Sequence, residues 1–140
     1  MKISAFDLKP STIVLLIGIN DINTGRDVDD IAITYREILN EIKNNFPNTI
    51  VYCISVLPLN YDLERYSNSK INVDDHNIKV IELKKQILNL SNEFKYTYID
   101  LYSKVIDMNN LLFKDYSDDG IHLNNNGFSV WTNEMIKYLK

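Results

Sequence analysis

The feature that most constrains the fold is an uninterrupted apolar run, Thr12–Ile17, which ends at Gly18. The run is rich in β-branched residues and contains neither a charged residue nor a proline. A strand that is apolar on both faces is typical of a parallel sheet with helices packed on each side. We therefore predict that Thr12–Ile17 is a buried strand in an α/β protein.

Two further apolar segments, Thr49–Val56 and Tyr96–Asp100, are also predicted to be strands, and helical patterns separate the three. Consecutive parallel strands need crossover connections, and right-handed crossovers place helices on both faces of the sheet. The sequence therefore predicts an α/β fold, a three-layer α/β/α sandwich with a parallel sheet, in one domain that spans residues 1–140.

Residues that can cap a helix precede each long helical pattern, namely Asp27, Asp74 or Asp75, and Asn124–Asn126. The predicted apolar stripes are Ile31, Tyr35, Ile38 and Ile42 in the first long helix, Ile78, Ile81, Lys85 and Leu88 in the second, and Phe128, Trp131, Met135 and Leu139 in the last. Further apolar residues lie beside the first stripe, Leu39 and Phe46, and beside the second, Leu83, Ile87, Leu90 and Phe94. We expect Trp131 to be a core residue and His76 to be a solvated residue in the first turn of its helix.

The composition argues against several classes of partner. The 140 residues carry a net charge of −4, and their Lys and Arg residues are scattered, which argues against nucleic acid or an anionic membrane as a partner. No apolar run approaches the ~20 residues of a membrane-spanning helix. Met1–Pro10 lacks a signal-peptide pattern, so we expect a cytoplasmic protein. The single cysteine, Cys53, is expected to be a buried and inert thiol.

An Asp and a His lie close together in the segment Asp118–Asn124. Asp119 precedes His122 by three residues, so a single turn can bring its carboxylate to one imidazole nitrogen. The other nitrogen is then available to move a proton. Asp118 competes for the same role, but we interpret it as a turn or cap residue. The spacing predicts a His–Asp pair suited to general acid–base chemistry.

Asn20 follows Gly18 just beyond the first predicted strand. Ligand sites in parallel α/β sheets gather beyond the carboxyl ends of the strands, so we expect Asn20, Asp119 and His122 to meet at one rim. A side-chain amide at this place can donate to an oxyanion during acyl transfer. The neighbouring Asp21 is interpreted as a structural hydrogen-bonding residue.

These segments resemble two sequence blocks of the SGNH, or GDSL, hydrolases, a family of serine esterases and lipases with a flavodoxin-like fold. Gly18–Asp21 is similar to the family's Gly-x-Asn-Asp block, and Asp119–His122 is similar to its Asp-x-x-His block. The resemblance implies that Asn20, Asp119 and His122 are catalytic residues of an ester hydrolase that needs no cofactor and no metal. The implied substrate is a small-molecule ester, such as an acylated sugar or lipid.

The family's amino-terminal strand, which ends in Gly-Asp-Ser and carries the nucleophile, has no counterpart in this sequence. No serine lies in a Gly-x-Ser or Gly-Asp-Ser context at the end of a strand, and Ser55 is the nearest substitute. We therefore expect a truncated domain that lacks the first two strands of the family fold and is inactive alone. Without its neighbour, Thr12–Ile17 would be an open edge, which predicts self-association or pairing with a complementing amino-terminal fragment.

Two other functions remain open at this stage. The first is a non-catalytic binding or interaction module that keeps the cleft of the family fold. The second is a metal-dependent phosphoesterase whose ligands would be Asp21, Asp118, Asp119, His122 and His76. The polar segment Leu57–Val73 contains Tyr61, Arg65 and Tyr66, which would either line the mouth of a substrate site or belong to an exposed linker.

Overall fold

The computed structural model describes residues 9–60 and 72–139. Within these ranges, strands and helices alternate along the chain, as the sequence predicts. The strands are β1 (Thr12–Leu15), β2 (Ile50–Ile54) and β3 (Thr97–Ile99), and the helices are α1 (Ile19–Asn23), α2 (Val28–Asn45), α3 (Val73–Phe94), α4 (Tyr102–Val105) and α5 (Asn125–Met135), with a 3₁₀ turn at Lys114–Tyr116.

The described strands form one parallel sheet in the order β1-β2-β3. In its register, Val14 lies beside Tyr52, and Tyr52 lies beside Thr97. All strands run in the same direction, so their carboxyl ends meet at one edge of the sheet. The predicted α/β class and the predicted parallel sheet are therefore confirmed.

Helices pack on both faces of the sheet because side chains alternate along β2. Val51 and Cys53 belong to a buried cluster formed with α2 and α3. Tyr52 and Ile54 belong to a second cluster, which includes Val105 of α4 and Met135 of α5. Trp131 packs against this second cluster, as predicted, and Cys53 is buried, also as predicted.

The stripe Ile78, Ile81, Lys85 and Leu88 is wrong as the inner face of α3, whereas three of the residues predicted alongside it, Leu83, Ile87 and Leu90, are buried. Ile78, Ile81 and Leu88 are exposed. The residues that pack against the sheet and α2 belong to the adjacent stripe, which comprises Val80, Leu83, Ile87 and Leu90. This helix carries two apolar stripes, and periodicity alone does not decide which of them meets the sheet. Two members of the predicted last stripe, Phe128 in α5 and Leu139 beyond its end, are likewise exposed.

The prediction that Thr12–Ile17 is a buried strand is also wrong in part. The strand ends at Leu15, and Val14 and Leu16 are 40% and 43% exposed. The reason is the position of β1 in the sheet. It pairs with β2 on one side, and no strand among the described residues pairs with its other side. An apolar strand therefore lies at an edge of the sheet.

Candidate active site

The carboxylate of Asp119 organises the turn that carries His122. Asp119 Oδ1 accepts hydrogen bonds from the backbone N–H groups of Ile121, at 2.9 Å, and His122, at 2.8 Å. Its other oxygen, Oδ2, lies 2.7 Å from Nδ1 of the His122 ring. One carboxylate thus fixes both the backbone of the turn and the imidazole that the turn presents. The contact expected from the three-residue spacing is present.

Asp118 has a different hydrogen-bond partner, so the two neighbouring carboxylates have different roles. Asp118 Oδ1 accepts a hydrogen bond from Nδ2 of Asn124 at 2.9 Å. Asn124 in turn caps α5, because its Oδ1 accepts from the N–H groups of Asn126 and Gly127. Asp118 therefore supports the start of α5, whereas Asp119 contacts the histidine.

Ser117 and Asn60 hold the Asp119–His122 turn in place through hydrogen bonds. The sequence patterns did not identify either residue as a support for this turn. Ser117 is buried, and its Oγ accepts the N–H of Gly120 at 2.8 Å. The backbone N–H of Asn60 donates to the carbonyl oxygen of Gly120 at 3.0 Å. Gly120 has a φ of 77°, which a residue with a side chain adopts at a cost. The turn is therefore tied to the segment that follows β2.

Two opposing effects set the charge state of Asp119. Partial burial raises the pKa of its carboxyl, but the hydrogen bond with the His122 ring and those with the N–H groups of His122 and Ile121 outweigh it. The net result is a pKa well below the ordinary value for aspartate. Because an ionised carboxylate only accepts hydrogen bonds, His122 Nδ1 must carry the proton between them. This arrangement leaves the Nε2 lone pair to act as a base.

Asn20 lies in α1, a short helix that begins shortly after β1 ends. The chain turns into this helix at Gly18, whose φ is 112°. A Cβ on Gly18 would lie 2.7 Å from Cδ2 of Leu83 in α3. Both the left-handed backbone and this close approach require glycine, so Gly18 sets the direction in which α1 leaves the sheet.

Asn20 and His122 line the same open cavity, which has a volume of about 500 Å³. The side chain of His122 is 78% exposed, whereas that of Asp119 is 22% exposed and lies behind it. The rest of the lining is mainly apolar and comprises Leu16, Ile17, Ile19, Asn23, Val56, Leu57, Leu59, Ile121, Leu123 and Phe128. The structure thus places the predicted site residues at one rim of the sheet.

The prediction that His76 is solvated is wrong. Only 4% of this residue is exposed, and its Nε2 lies 2.8 Å from Oδ1 of Asn23, in the last turn of α1. Burial lowers the pKa of His76, a neighbouring hydrogen bond with Asn77 opposes this change, and the charge of Lys79 adds to it. Its position at the start of α3 suggested a solvated residue, but α1 packs over it.

Ser55 is fully buried and does not line the cavity. Its Oγ accepts the backbone N–H of Tyr102 at 2.7 Å, so its hydroxyl has a structural role between β2 and α4. Ser4, Ser67 and Ser69 lie outside the described residues, as do Tyr61, Arg65 and Tyr66.

The described residues do not bring together a metal-binding set. Asp21 pairs with Arg26 at 2.7 Å, as expected for a structural residue, and His76 contacts Asn23. Within 9–60 and 72–139, no group of three or more His, Cys, Asp or Glu side chains is placed to hold a metal ion. Over the same ranges, no helix is sufficiently long and apolar to cross a membrane.

Comparison with known proteins gives a family and a set of related folds. The family described as GDSL-like Lipase/Acylhydrolase matches residues 3–130. No curated protein gives a significant match. A solved structure from Streptococcus pneumonia is 24% identical, with a TM-score of 0.83 over 93% of this chain and 60% of that chain.

A GDSL-like lipase from Bacteroides thetaiotaomicron is 20% identical, with a TM-score of 0.80 over 95% of this chain and 63% of that chain. An acetylxylan esterase from Geobacillus stearothermophilus, solved as a catalytic mutant, is 14% identical, with a TM-score of 0.72 over 95% of this chain and 61% of that chain. The chain therefore spans somewhat less than two thirds of the length of these structures.

Proposed function

The chain belongs to the GDSL-like lipase/acylhydrolase family, and we propose that it forms the part of a serine ester hydrolase that supplies the base and an oxyanion donor. The observation that carries this proposal is the His122–Asp119 pair beside the cavity that Asn20 also lines. In acyl transfer, these groups would act on a serine and on the carbonyl that it attacks.

His122 would act as the general base and then as the general acid. Its Nε2 would take the proton from the attacking serine hydroxyl and later deliver it to the leaving alkoxide. Asp119 would keep the proton on Nδ1 and would stabilise the imidazolium that forms. Removing this carboxylate from a Ser-His-Asp triad costs about 10⁴-fold in kcat, mainly because the wrong tautomer then forms.

Asn20 would stabilise the negative charge that develops on the carbonyl oxygen of the ester. Loss of one such donor typically costs about 10²–10³-fold in kcat. The short helix α1 presents Asn20 at the rim of the cavity, and Gly18 and Leu83 fix where this helix starts. The mainly apolar lining favours an acylated sugar or lipid over a highly charged substrate.

The serine nucleophile of this site would come from outside the described residues. In this proposal, residues 1–140 belong to one domain with the family's flavodoxin-like sandwich. The open side of β1 is where a strand carrying the nucleophile would pair, and the exposed Val14 and Leu16 would then be covered. Without such a strand, the apolar edge favours self-association.

Hydrolysis of p-nitrophenyl acetate by the 140-residue chain tests the proposal. Without its nucleophile the site can still use His122 as a general base for direct attack by water, which typically contributes about 10²–10⁴-fold, so we expect slow turnover that requires His122. His122→Gln and Asp119→Asn should both lower it, and Asp118→Asn is the matched control. A rate that His122→Gln leaves unchanged would contradict the proposal. Fast turnover that a serine-directed phosphonate abolishes would place a nucleophile within this chain, with Ser4→Ala, Ser67→Ala and Ser69→Ala as the first variants to examine.

A non-catalytic binding module is the second candidate. It is favoured by one observation, namely that the cavity is lined by no serine among the described residues. Such a module would bind an acylated sugar or lipid without turnover. Equilibrium binding of a non-hydrolysable ester analogue, with no His122-dependent hydrolysis of p-nitrophenyl acetate, would support it over the hydrolase.

Sedimentation at micromolar concentration tests the open edge of β1. We expect concentration-dependent association, and Val14→Lys should reduce it because a charge at an edge discourages strand pairing. A monodisperse, cooperatively melting monomer would show that this edge does not drive association.

A further inference from the structure

We propose that His76 is a positioning residue that fastens the Asn20 helix, α1, to the body of the domain. The inference rests on the proposed function, because the helix that His76 would hold in place carries Asn20, the proposed oxyanion donor. His76 itself does not line the cavity, so it does not touch a substrate there.

The first contact is partly buried and joins two helices that are far apart in sequence. His76, in the first turn of α3, places Nε2 at 2.8 Å from Oδ1 of Asn23. An amide oxygen only accepts hydrogen bonds, so Nε2–H is the donor. Asn23 follows Asn20 by three residues in the same five-residue helix. A constraint on Asn23 therefore also constrains the turn that carries Asn20.

The other side of the His76 ring faces the segment that follows β2. Its Nδ1 lies 3.3 Å from Oδ1 of Asn77 and, with the proton of the neutral ring on Nε2, Nδ1 donates there only when the ring is protonated. Asn77 is itself fixed, because it accepts the N–H of Leu59 at 2.8 Å and donates to the carbonyl oxygen of Leu59 at 3.0 Å. The ring thus lies between α1 and the Leu59 segment, and both of these line the cavity.

The helix α1 needs such a fastening because it is short. A helix of five residues has too few internal hydrogen bonds to be stable by itself, so tertiary contacts must hold it. Its other anchors among the described residues include buried Ile22 and the Asp21–Arg26 ion pair. The ion pair is about two-fifths exposed and therefore holds weakly, whereas the contact between His76 and Asn23 is shielded from water on the His76 side.

Amide hydrogen exchange, followed by NMR on the 140-residue chain, tests this inference without any need for catalysis. The informative N–H groups are those of Ile22 and Thr24, which donate to the carbonyls of Gly18 and Asn20. We expect His76→Leu to accelerate their exchange about tenfold relative to Leu39 in α2, since a buried hydrogen bond is lost. The side-chain amide signals of Asn20 should shift with them.

The conservative variant His76→Gln provides the control for a merely space-filling role. Its amide can donate to Asn23 in place of Nε2–H, so slow exchange in α1 should be restored. Asn23→Ala removes the same contact by changing an exposed residue. It should show the same faster amide exchange in α1 as we expect for His76→Leu, and it provides the test if His76→Leu does not fold. Combined with His76→Leu, it should add no further acceleration.

Three results would overturn the inference: unchanged exchange at Ile22 and Thr24 in Asn23→Ala, equal acceleration in α1 and α2, or no rescue by His76→Gln. None of these readouts depends on ester hydrolysis. Failure of the proposed function would instead appear as hydrolysis of p-nitrophenyl acetate that is indifferent to His122→Gln, with the exchange pattern of α1 intact.

Discussion

The two histidines of this chain occupy opposite kinds of environment. His122 is exposed, and its carboxylate partner lies three residues away in the same turn. His76 is buried, and its partner Asn23 lies 53 residues away on another helix. The same imidazole is therefore used once on a surface that a ligand can reach and once inside the packing between elements.

The difference shows how the partner and the solvent decide what an imidazole can do. Beside the ionised Asp119, the His122 ring is oriented and can still exchange protons with a molecule in the cavity. Between two amide side chains, the His76 ring is shielded, and burial lowers its pKa. The first environment favours proton transfer, and the second favours a fixed structural contact.

Removal of the Asp119 side chain should have the largest effect on stability. Asp119→Ala deletes the acceptor for two backbone N–H groups and for the His122 ring, so we expect a loss of about 3 kcal/mol in the free energy of unfolding at neutral pH. Asp118→Ala, which loses a contact with Asn124, should cost about 1 kcal/mol. Urea denaturation followed by circular dichroism measures both, and equal losses would contradict the separate roles of these residues.

Matched substitutions of the two histidines should separate them next. We expect His76→Leu to lower the free energy of unfolding by about 2 kcal/mol, because Asn23 loses its buried donor. His122→Leu, at an exposed position, should change it by about 0.5 kcal/mol or less. Thermal melts followed by circular dichroism provide the comparison. A larger loss for His122→Leu would reverse the assignment of structural and surface roles.

The pH dependence of stability should also distinguish the sites. The pKa of His76 is lowered in the folded chain, so the unfolded chain binds more protons below about pH 6.5, and stability falls as the pH decreases from there. The slope is at most about 1.4 kcal/mol per pH unit. His76→Gln should flatten it, and an unchanged slope in this variant would contradict a buried neutral ring.

Asp119 acts in a separate and more acidic window. Its folded pKa is also lowered, so its contribution is fully present above the unfolded value of about 3.9 and is lost as the pH falls through the folded value. Asp119→Asn should therefore reduce the acid sensitivity below about pH 4 and leave the slope near pH 6 unchanged.

The smallest loss of stability is expected for the Asp21–Arg26 ion pair, the exposed contact that holds α1. Arg26→Gln removes the ion pair with Asp21 and should lower the free energy of unfolding by less than about 1 kcal/mol. High salt should reduce the difference between Arg26→Gln and the parent chain, because salt screens exposed charges. A loss equal to that of His76→Leu would show that the ion pair, rather than the buried histidine, is the main fastening.

The His122–Asp119 contact could be predicted from the sequence because its geometry is local. A spacing of three residues within one turn leaves few alternatives, and the turn lies at the edge where the parallel strands end. The meeting with Asn20 could be predicted for a related reason, since parallel topology brings the ends of β1 and β3 to one rim.

The buried state of His76 could not be predicted, because it depends on where a distant helix packs. The residues around it are polar, as in an exposed first turn, and Asn23 gives no sign of its partner. The choice between the two apolar stripes of α3 failed for the same reason. Periodicity gives the period of a helix, whereas the sheet and α2 decide which stripe, Val80 or Ile81, is covered.

The environment of Trp131 determines the fluorescence that the protein should show. It is the one tryptophan of the chain, it packs with Met135 on the α5 side of the sheet, and its buried indole Nε1 has no hydrogen-bond partner among the described residues. Its fluorescence should therefore be blue-shifted and should respond to loosening of the α5 face. The ellipticity of the chain comes largely from α2 and α3 on the opposite face. If the two signals change together on heating, the faces unfold as one unit, and if they separate, the layers of the sheet unfold independently.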